Sequence, residues 1–281
     1  MSEERSGILL INKEAGMTSH DVVSVLRRLL HTKKIGHSGT LDPNATGVLL
    51  VLVNNATKVL PYLEDTDKEY VATLMLGKRT FTDDIWGDTL ETEEITPINN
   101  LQEILNKYLG DIKQLPPMVS AVRVNGRKLY EYARANESVE RPIRDVKIHQ
   151  IKAIEGDDEY KFKVHCSSGT YIRTLCVDIA ADTNNLGCMS SLVRTKVGRF
   201  SLDDCVSLAD VEAGNYKLFS INDALAHYHT IKYEPMSDVY NGKRIKIDCK
   251  EDIVAIQDGD KIVAMYGRET TTTFKSLRGL W

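Results

Sequence analysis

The sequence reads as a mixed α and β protein with a small β-rich tail, on three observations. Apolar residues recur at helical spacing at Val22, Val25, Leu26, Leu29 and Leu30, one face of an amphipathic helix. Tyr70 to Leu76 and Tyr160 to Cys166 alternate polar and apolar side chains, the pattern of half-buried strands. From about Tyr233 the chain turns into short β-rich pieces at Ile245-Lys-Ile, Ile253 to Ile256 and Ile262 to Tyr266. Asp258-Gly259 is a hairpin signal between the last two. Taken alone, this pattern supports mixed α and β and no narrower class.

The elements follow in order. Gly7-Ile-Leu-Leu-Ile11 is a short buried strand. Thr18 with Asp21 three residues on resembles a capping box and starts the amphipathic helix. That helix ends in Arg27 and Arg28, which suit its negative end. Gly36-His-Ser-Gly-Thr-Leu-Asp-Pro-Asn-Ala-Thr-Gly47 then places three glycines and a proline in twelve residues, which excludes a regular element. The aliphatic run Val48 to Val53 follows, so the glycine-rich segment is a tight loop ahead of a buried element. Residues 98–109 look helical. Gln114-Leu-Pro-Pro-Met is extended, because proline excludes helix there. Val119 to Val124, the Asn125-Gly126 turn and Lys128 to Arg134 read as strand, turn and short helix. Tyr160 to Cys166 runs into Ser167-Ser-Gly-Thr-Tyr-Ile-Arg173 and a helix to about Asp182. The change of character near residue 232 divides the chain into a domain of residues 1–232 and a small one of 233–281.

The chain's 281 residues suffice for such a pair. Hydrophobic residues make up 42% and charged residues 27%, ordinary for a globular protein, so long disorder is not expected. Val48 to Val53 is far short of a bilayer span. The polar start Met1-Ser-Glu-Glu-Arg5 lacks the basic opening of a secretory signal, and the expected location is the cytoplasm. The five cysteines are odd in number and show no Cys-x-x-Cys spacing, so neither a disulfide framework nor a zinc site is suggested.

A net charge of −4 and a pI near 6.0 oppose a phosphate-binding surface if read globally. The cations are nevertheless clustered. Arg27, Arg28, Lys33 and Lys34 form one group, and Arg123, Arg127, Lys128 and Arg134 another. Arg141, Arg144 and Lys147 follow, then Arg194, Lys196 and Arg199. Acidic residues gather elsewhere, at Glu64 to Glu69 and Glu91 to Glu94. Taken singly, each run also reads as a solvated face.

Asp42 is the one carboxylate in the glycine-rich loop. Asp-Pro by itself simply initiates a turn. Here Gly36, Gly39 and Gly47 permit close approach by a backbone or a ligand, and Ser38, Thr40 and Thr46 supply hydroxyls able to orient the carboxylate.

Gly39-Thr-Leu-Asp-Pro-Asn-Ala-Thr-Gly-Val-Leu49 closely resembles the active-site motif of the TruB family of tRNA pseudouridine-55 synthases. Lys68-Glu-Tyr70, Gly77 to Gly87 with Thr82, Asp83 and Asp84, Gln114-Leu-Pro-Pro-Met-Val-Ser-Ala with Gly126, Tyr130 and Arg134, Ser168-Gly-Thr-Tyr-Ile-Arg173, and Leu192 to Phe200 resemble further blocks in the same order. The tail around Asn241-Gly242 resembles the start of the small PUA-type RNA-binding domain of bacterial members. Departures are few: Glu14 where proline is common, Arg123 where lysine is usual, and Asn136 where glycine is common. The resemblance implies an α+β pseudouridine synthase fold with a mixed, mostly antiparallel central sheet, the Asp42 loop and the Arg173 strand end meeting in a cleft, plus the small PUA-like domain.

The resemblance also implies roles. Asp42 breaks the bond between uracil and ribose as nucleophile or as base at the sugar; a carboxylate can form and release a covalent intermediate. Arg173 pairs with that carboxylate, and an opposing charge keeps it ionised. Tyr70 stacks on the target base and helps remove its C5 proton. The implied substrate-binding set is His37, Gly39, Thr40, Leu41, Lys68 and Leu192, with His37 holding the rearranged T loop while the target base is extruded. The reaction needs neither metal nor cofactor. The implied partner is the T arm of tRNA, met by the basic groups at Arg27 to Lys34, Arg123 to Arg134 and Lys243 to Lys246, with no protein partner, no membrane, and a monomer as the default.

Three other readings compete. One is the catalytic subunit of a guide-RNA complex, another a non-catalytic RNA-binding or RNA-folding protein. The third is a metal-dependent hydrolase built on Asp83, Asp84 and Asp88, which lacks accompanying histidine ligands. If the basic clusters form an RNA surface, affinity for tRNA falls steeply with salt despite the acidic pI, with a slope in log Kd against log salt of several units. A filter-binding series across salt concentrations checks this, and a flat response contradicts it.

Overall fold

The computed structural model describes residues 6–63, 66–156 and 160–281. The polar start Met1 to Arg5, and Glu64 and Asp65 of the expected acidic run, lie outside the described residues.

The chain opens with strand β1 (Gly7–Lys13), buried except at Asn12. Helix α1 (Ser19–Leu29) follows behind a true capping box: Thr18 N–H donates to Asp21 Oδ2 at 2.9 Å, and Asp21 N–H donates to Thr18 Oγ1 at 3.1 Å. Strands β2 (Ile35–Ser38), β3 (Thr46–Val53) and β4 (Lys68–Leu76) come next, then the hairpin β5 (Lys78–Thr80) and β6 (Thr89–Thr92). The helix expected over 98–109 is only α2 (Leu101–Leu105) plus a 3₁₀ turn at Asn106–Tyr108. The Asn100 side chain accepts the Glu103 N–H at 3.2 Å and fixes its start. Strand β7 (Gly110–Gln114) precedes a hairpin of β8 (Arg123–Val124) and β9 (Arg127–Lys128), then α3 (Leu129–Arg134). The strand expected over 119–124 shrinks to β8 because the Ser120 and Val122 carbonyls accept from Tyr130 and Leu129 N–H, leaving no ladder to extend.

Strands β10 (Arg144–Ile154) and β11 (Tyr160–Cys166), helix α4 (Ile172–Ala181), and strands β12 (Gly187–Val197) and β13 (Phe200–Ser201) follow. The expectation that Arg173 ends a strand is corrected: it lies in the first turn of α4. Short helices α5 (Leu208–Glu212) and α6 (Ile221–Ala224) lead to β14 (His229–Lys232), α7 (Met236–Tyr240), β15 (Ile245–Lys246), β16 (Ile253–Asp258), β17 (Lys261–Arg268) and β18 (Thr273–Gly279). Gly259, at φ +56°, sits in the two-residue turn between β16 and β17, as its hairpin signal predicts.

Two compact units arise: Met1–Pro43 with Leu49–Glu64 and Asp203–Trp281, and Asn44–Val48 with Asp65–Leu202. In the first, β2 pairs antiparallel with β3, from Ile35 opposite Val53 to Ser38 opposite Leu50. Leu9, Ile11, Val22, Leu26, Leu49 and Val51 form the core beneath α1. This unit also holds a sheet in the order β14-β16-β17-β18-β15, closed over Val239, Val254, Ile256, Tyr266 and Phe274. That sheet begins at His229, a few residues before the boundary read from the sequence.

In the second unit the sheet is mixed. The start of β3 runs parallel to β12, while β12, β4, β11, β10 and β7 pair antiparallel in that order. Helix α4 packs across β12 and β4, burying Leu175, Cys176, Ile179 and Ala180. Among the described residues there is no disulfide; Cys166, Cys176 and Cys188 are buried, and Cys205 and Cys249 half-buried. Burial pushes the Cys166 thiol up to about 11 and raises those of Cys176 and Cys188.

The junction of β3 with β12 depends on Gly47. Its φ is +102°, and a Cβ there would lie 2.2 Å from the Arg194 carbonyl oxygen. Strain and overlap therefore act together. Gly47→Ala is expected to lower unfolding stability by about 2–4 kcal/mol, measured by urea titration; a loss below about 0.5 kcal/mol, the range of neutral surface changes, would show that the strands part easily.

Candidate active site

In the first unit, the turn carrying Asp42 is held by backbone bonds on both sides of it. Before Asp42, Leu41 is 3% exposed, and the buried Ser19 hydroxyl engages both of its backbone groups. Ser19 Oγ accepts the Leu41 N–H at 2.9 Å and donates to the Leu41 carbonyl at 3.2 Å. After Asp42, the Pro43 carbonyl accepts from Lys13 Nζ at 2.8 Å and from the Gly16 N–H at 3.0 Å. Lys13 is fully buried, and its ammonium also donates to the carbonyls of Met17 at 2.6 Å and Glu14 at 2.9 Å. A buried ammonium needs such oxygens, since leaving water unpaired is costly. Asp42 itself is half-buried, and Gly39 and Thr40 are exposed. Gly39 takes φ +79°, which starts the turn out of β2. His37 is half-buried on β2, opposite Val51.

In the second unit, Lys68 and Tyr70 lie on the buried face of β4. Tyr70 stands opposite Arg194, and Ala72 opposite Leu192, so alternation puts Lys68, Tyr70, Leu192 and Arg194 on one face. Lys68 Nζ donates to Ser168 Oγ at 3.1 Å. Arg173, 5% exposed, donates from Nη1 to the Thr82 carbonyl at 2.7 Å and from Nη2 to the Val119 carbonyl at 2.9 Å. The segment ahead of it is held by Gln114, which is 1% exposed. Tyr171 N–H donates to Gln114 Oε1 at 2.9 Å, and Gln114 Nε2 donates to the Tyr171 carbonyl at 3.2 Å.

The acidic loop beside Arg173 has its own order. Asp84 accepts from Thr82 Oγ1 at 2.7 Å and from the Trp86 N–H at 3.1 Å. Burial raises the Asp83 carboxyl, with Arg173 pulling the other way. Asp178 on α4 is pushed up to about 6 by burial, then by Asp182 and Asp83. Asp88 is exposed. Among the described residues, no three His, Cys, Asp or Glu side chains gather as metal ligands would, and no helix is long and apolar enough to cross a membrane.

The expected basic groups meet different fates. Arg28, Lys33, Lys34, Arg123, Arg134 and Lys246 are exposed. Arg194 is not a surface cation: it is 1% exposed, and its Nε donates to the Val48 carbonyl at 2.8 Å. Alternation along β12 turns it inward, which a charge count cannot see. Lys243 pairs with Asp238 at 2.7 Å and Arg244 with Glu269 at 2.6 Å.

Residues 27–172 match the TruB family pseudouridylate synthase N-terminal domain, and residues 173–227 match the tRNA pseudouridylate synthase B C-terminal domain. The chain belongs to the TruB family of pseudouridine synthases. A tRNA pseudouridine synthase B of Oceanobacillus iheyensis is 50% identical over 212 residues, covering 73% of this chain and 70% of the relative. One from Streptococcus thermophilus is 42% identical over 277 residues, covering 92% and 94%. In fold, the chain resembles a member of a crystallised Cbf5–Nop10–Gar1 complex, with a TM-score of 0.76 at 24% identity over 98% of this chain and 85% of that one.

Asp42 and Tyr70 fall within the first family match, and Arg173 and Leu192 within the second. Asn136, where the sequence resemblance led us to expect glycine, adopts φ +57°, a left-handed conformation that asparagine tolerates better than most residues. Sequence reading missed Lys13, Ser19 and Gln114 as braces of the site. A lysine closing an apolar strand and the place of Gln114 at the head of a family-like block were the available signals, and neither specifies a brace.

The raised Asp178 carboxyl has a measurable consequence. Its folded value lies above the ordinary 3.8, so its contribution to stability is fully present below about pH 4 and is lost as pH rises through about 6. Asp178→Asn is therefore expected to gain about 2–4 °C in Tm over the parent at pH 8 relative to the same comparison at pH 4, after allowing for partial solvent screening. Thermal melts at the two pH values check the sign.

Proposed function

We propose that this TruB-family pseudouridine synthase isomerises uridine 55 in the T arm of tRNA, with Asp42 as the catalytic carboxylate. The observation that carries the reading is the Asp42 turn. A single carboxylate stands in a glycine-rich loop whose neighbours on both sides are hydrogen-bonded through their backbones, and it falls inside the family's matched segment. The names of the relatives, tRNA pseudouridine synthase B, support tRNA as the substrate.

In this reading Asp42 attacks the sugar carbon, or takes a proton from the sugar, as the N-glycosidic bond breaks. The freed uracil turns and C5 bonds to the sugar carbon, displacing the Asp42 carboxylate where it had attacked. The C5 proton leaves and N1 takes one up, so the product is an isomer of the substrate and the carboxylate is regenerated. Tyr70 stacks on the base and assists that proton's removal. Arg173 favours the ionised carboxylate. Leu192 lines the pocket, Lys68 helps to build it, and His37 holds the opened T loop while the target base is out of its stack. Gly39, Thr40 and Leu41 shape the approach to Asp42. The chemistry calls for no metal and no cofactor. The C-terminal sheet from His229 onward is read as a PUA-like RNA-binding module, with residues 233–281 as its domain. The protein acts as a monomer in the cytoplasm, where its substrate is.

The exposed cations of α1 and the loop after it, Arg28, Lys33 and Lys34, are read as part of the surface that meets phosphate. RNA recognition of this kind rests on folded shape and unstacked loop bases.

The test is tritium release from tRNA labelled at uracil C5, with a chelator present, comparing the parent and Asp42→Asn. Release by the parent alone is expected, with the variant down by at least about 10⁴-fold, the scale of losing a covalent catalyst. No release by a folded, tRNA-binding parent would leave a binding or folding role instead.

A further inference from the structure

Two buried side chains outside the expected site share an unusual geometry. Ser19 and Gln114 are each 1% exposed, and each bonds both the N–H and the C=O of a single residue. Ser19 does so to Leu41 at 2.9 and 3.2 Å. Gln114 does so to Tyr171, also at 2.9 and 3.2 Å, imitating the paired bonds between antiparallel strands. Leu41 lies outside every strand and helix, so no ladder fixes its peptides. Tyr171 is the N-cap of α4, where the Leu175 N–H donates to its carbonyl at 3.1 Å, and Gln114 adds the bond that holds its N–H. With both polar groups held, the planes on either side of the residue cannot rotate independently. Leu41 directly precedes Asp42, and Tyr171 precedes Arg173 by two residues.

We propose that Ser19 and Gln114 are positioning residues for pseudouridine formation, Ser19 acting through Leu41 on Asp42 and Gln114 through Tyr171 on Arg173. The proposal rests on the reading of Asp42 and Arg173 as catalytic. A reacting group displaced by about 1 Å loses up to about 100-fold in rate without losing substrate binding. A purely structural role would instead lower stability, with the rate of the folded fraction unchanged.

The experiment measures single-turnover tritium release at saturating enzyme, the apparent Kd for tRNA, and Tm. The variants are Ser19→Ala, Ser19→Cys and Gln114→Met. The controls are Val22→Ala in α1 and Ile148→Ala in β10, core truncations that lower Tm by opening cavities. Ser19→Ala and Gln114→Met are expected to lose about 10- to 100-fold in rate with Kd within about twofold of the parent. Ser19→Cys, which keeps a weak donor and acceptor, is expected to fall between. The controls are expected to keep the parental rate at equal or lower Tm. Parental rates in the Ser19 and Gln114 variants would overturn the proposal, as would rate losses that the controls match at the same Tm. If Ser19→Ala does not fold, Ser19→Cys and Gln114→Met carry the same comparison. An active Asp42→Asn run in parallel would overturn the catalytic reading itself, which is a separate result.

Discussion

A lysine ammonium wholly removed from water holds the first unit's Asp42 turn in place. Lys13 reaches the carbonyls of Glu14, Met17 and Pro43, and these belong to the end of β1, the approach to α1 and the turn after β2. Charge-assisted bonds to neutral carbonyls are roughly twice as strong as neutral ones. Three carbonyls around one cation therefore tie together segments up to 30 residues apart in sequence. The position of α1, its capping box and the Ser19 contact to Leu41 all lie within this frame.

The second unit uses buried cations in the same manner. Arg194 bonds the Val48 carbonyl beside the Gly47 junction, and Arg173 bonds the Thr82 and Val119 carbonyls. Arg194 ties one strand to another, and Arg173 ties α4 to two loop segments that could not order themselves, because loops lack a ladder for their backbone groups. An acidic protein thus spends several of its cations internally. Surface pairs such as Lys243 with Asp238 contribute little to stability, but they leave fewer bare cations outside.

Much of the architecture was legible in the sequence. The apolar spacing from Val22 to Leu30, the Thr18 and Asp21 pair and the alternation of Tyr70 to Leu76 all report local physics, and each has its element in the structure. The residues at 98–109 and 119–124 misled for the opposite reason. A side-chain cap at Asn100 and carbonyls claimed by Leu129 and Tyr130 depend on neighbours that no local pattern reveals. Arg194 shows the same limit, since a cation on an inward strand position looks like any other in a basic run. At the site, the Asp42 turn announced itself through glycines and proline. Its braces did not, because a serine opening a helix and a glutamine ending a strand are ordinary in isolation. Only the folded chain brings each against one particular peptide.

The cysteines carry a practical consequence. Thiolate is the reactive form of a thiol, and burial keeps Cys166, Cys176 and Cys188 protonated well above neutral pH. These three are sheltered from alkylation and oxidation for as long as the second unit stays folded. Cys205 and Cys249, half-buried and both in the first unit, are the natural attachment points for a spectroscopic label. Mild labelling would therefore mark one unit and leave the other untouched, and delayed reaction at the buried thiols would report the second unit's opening.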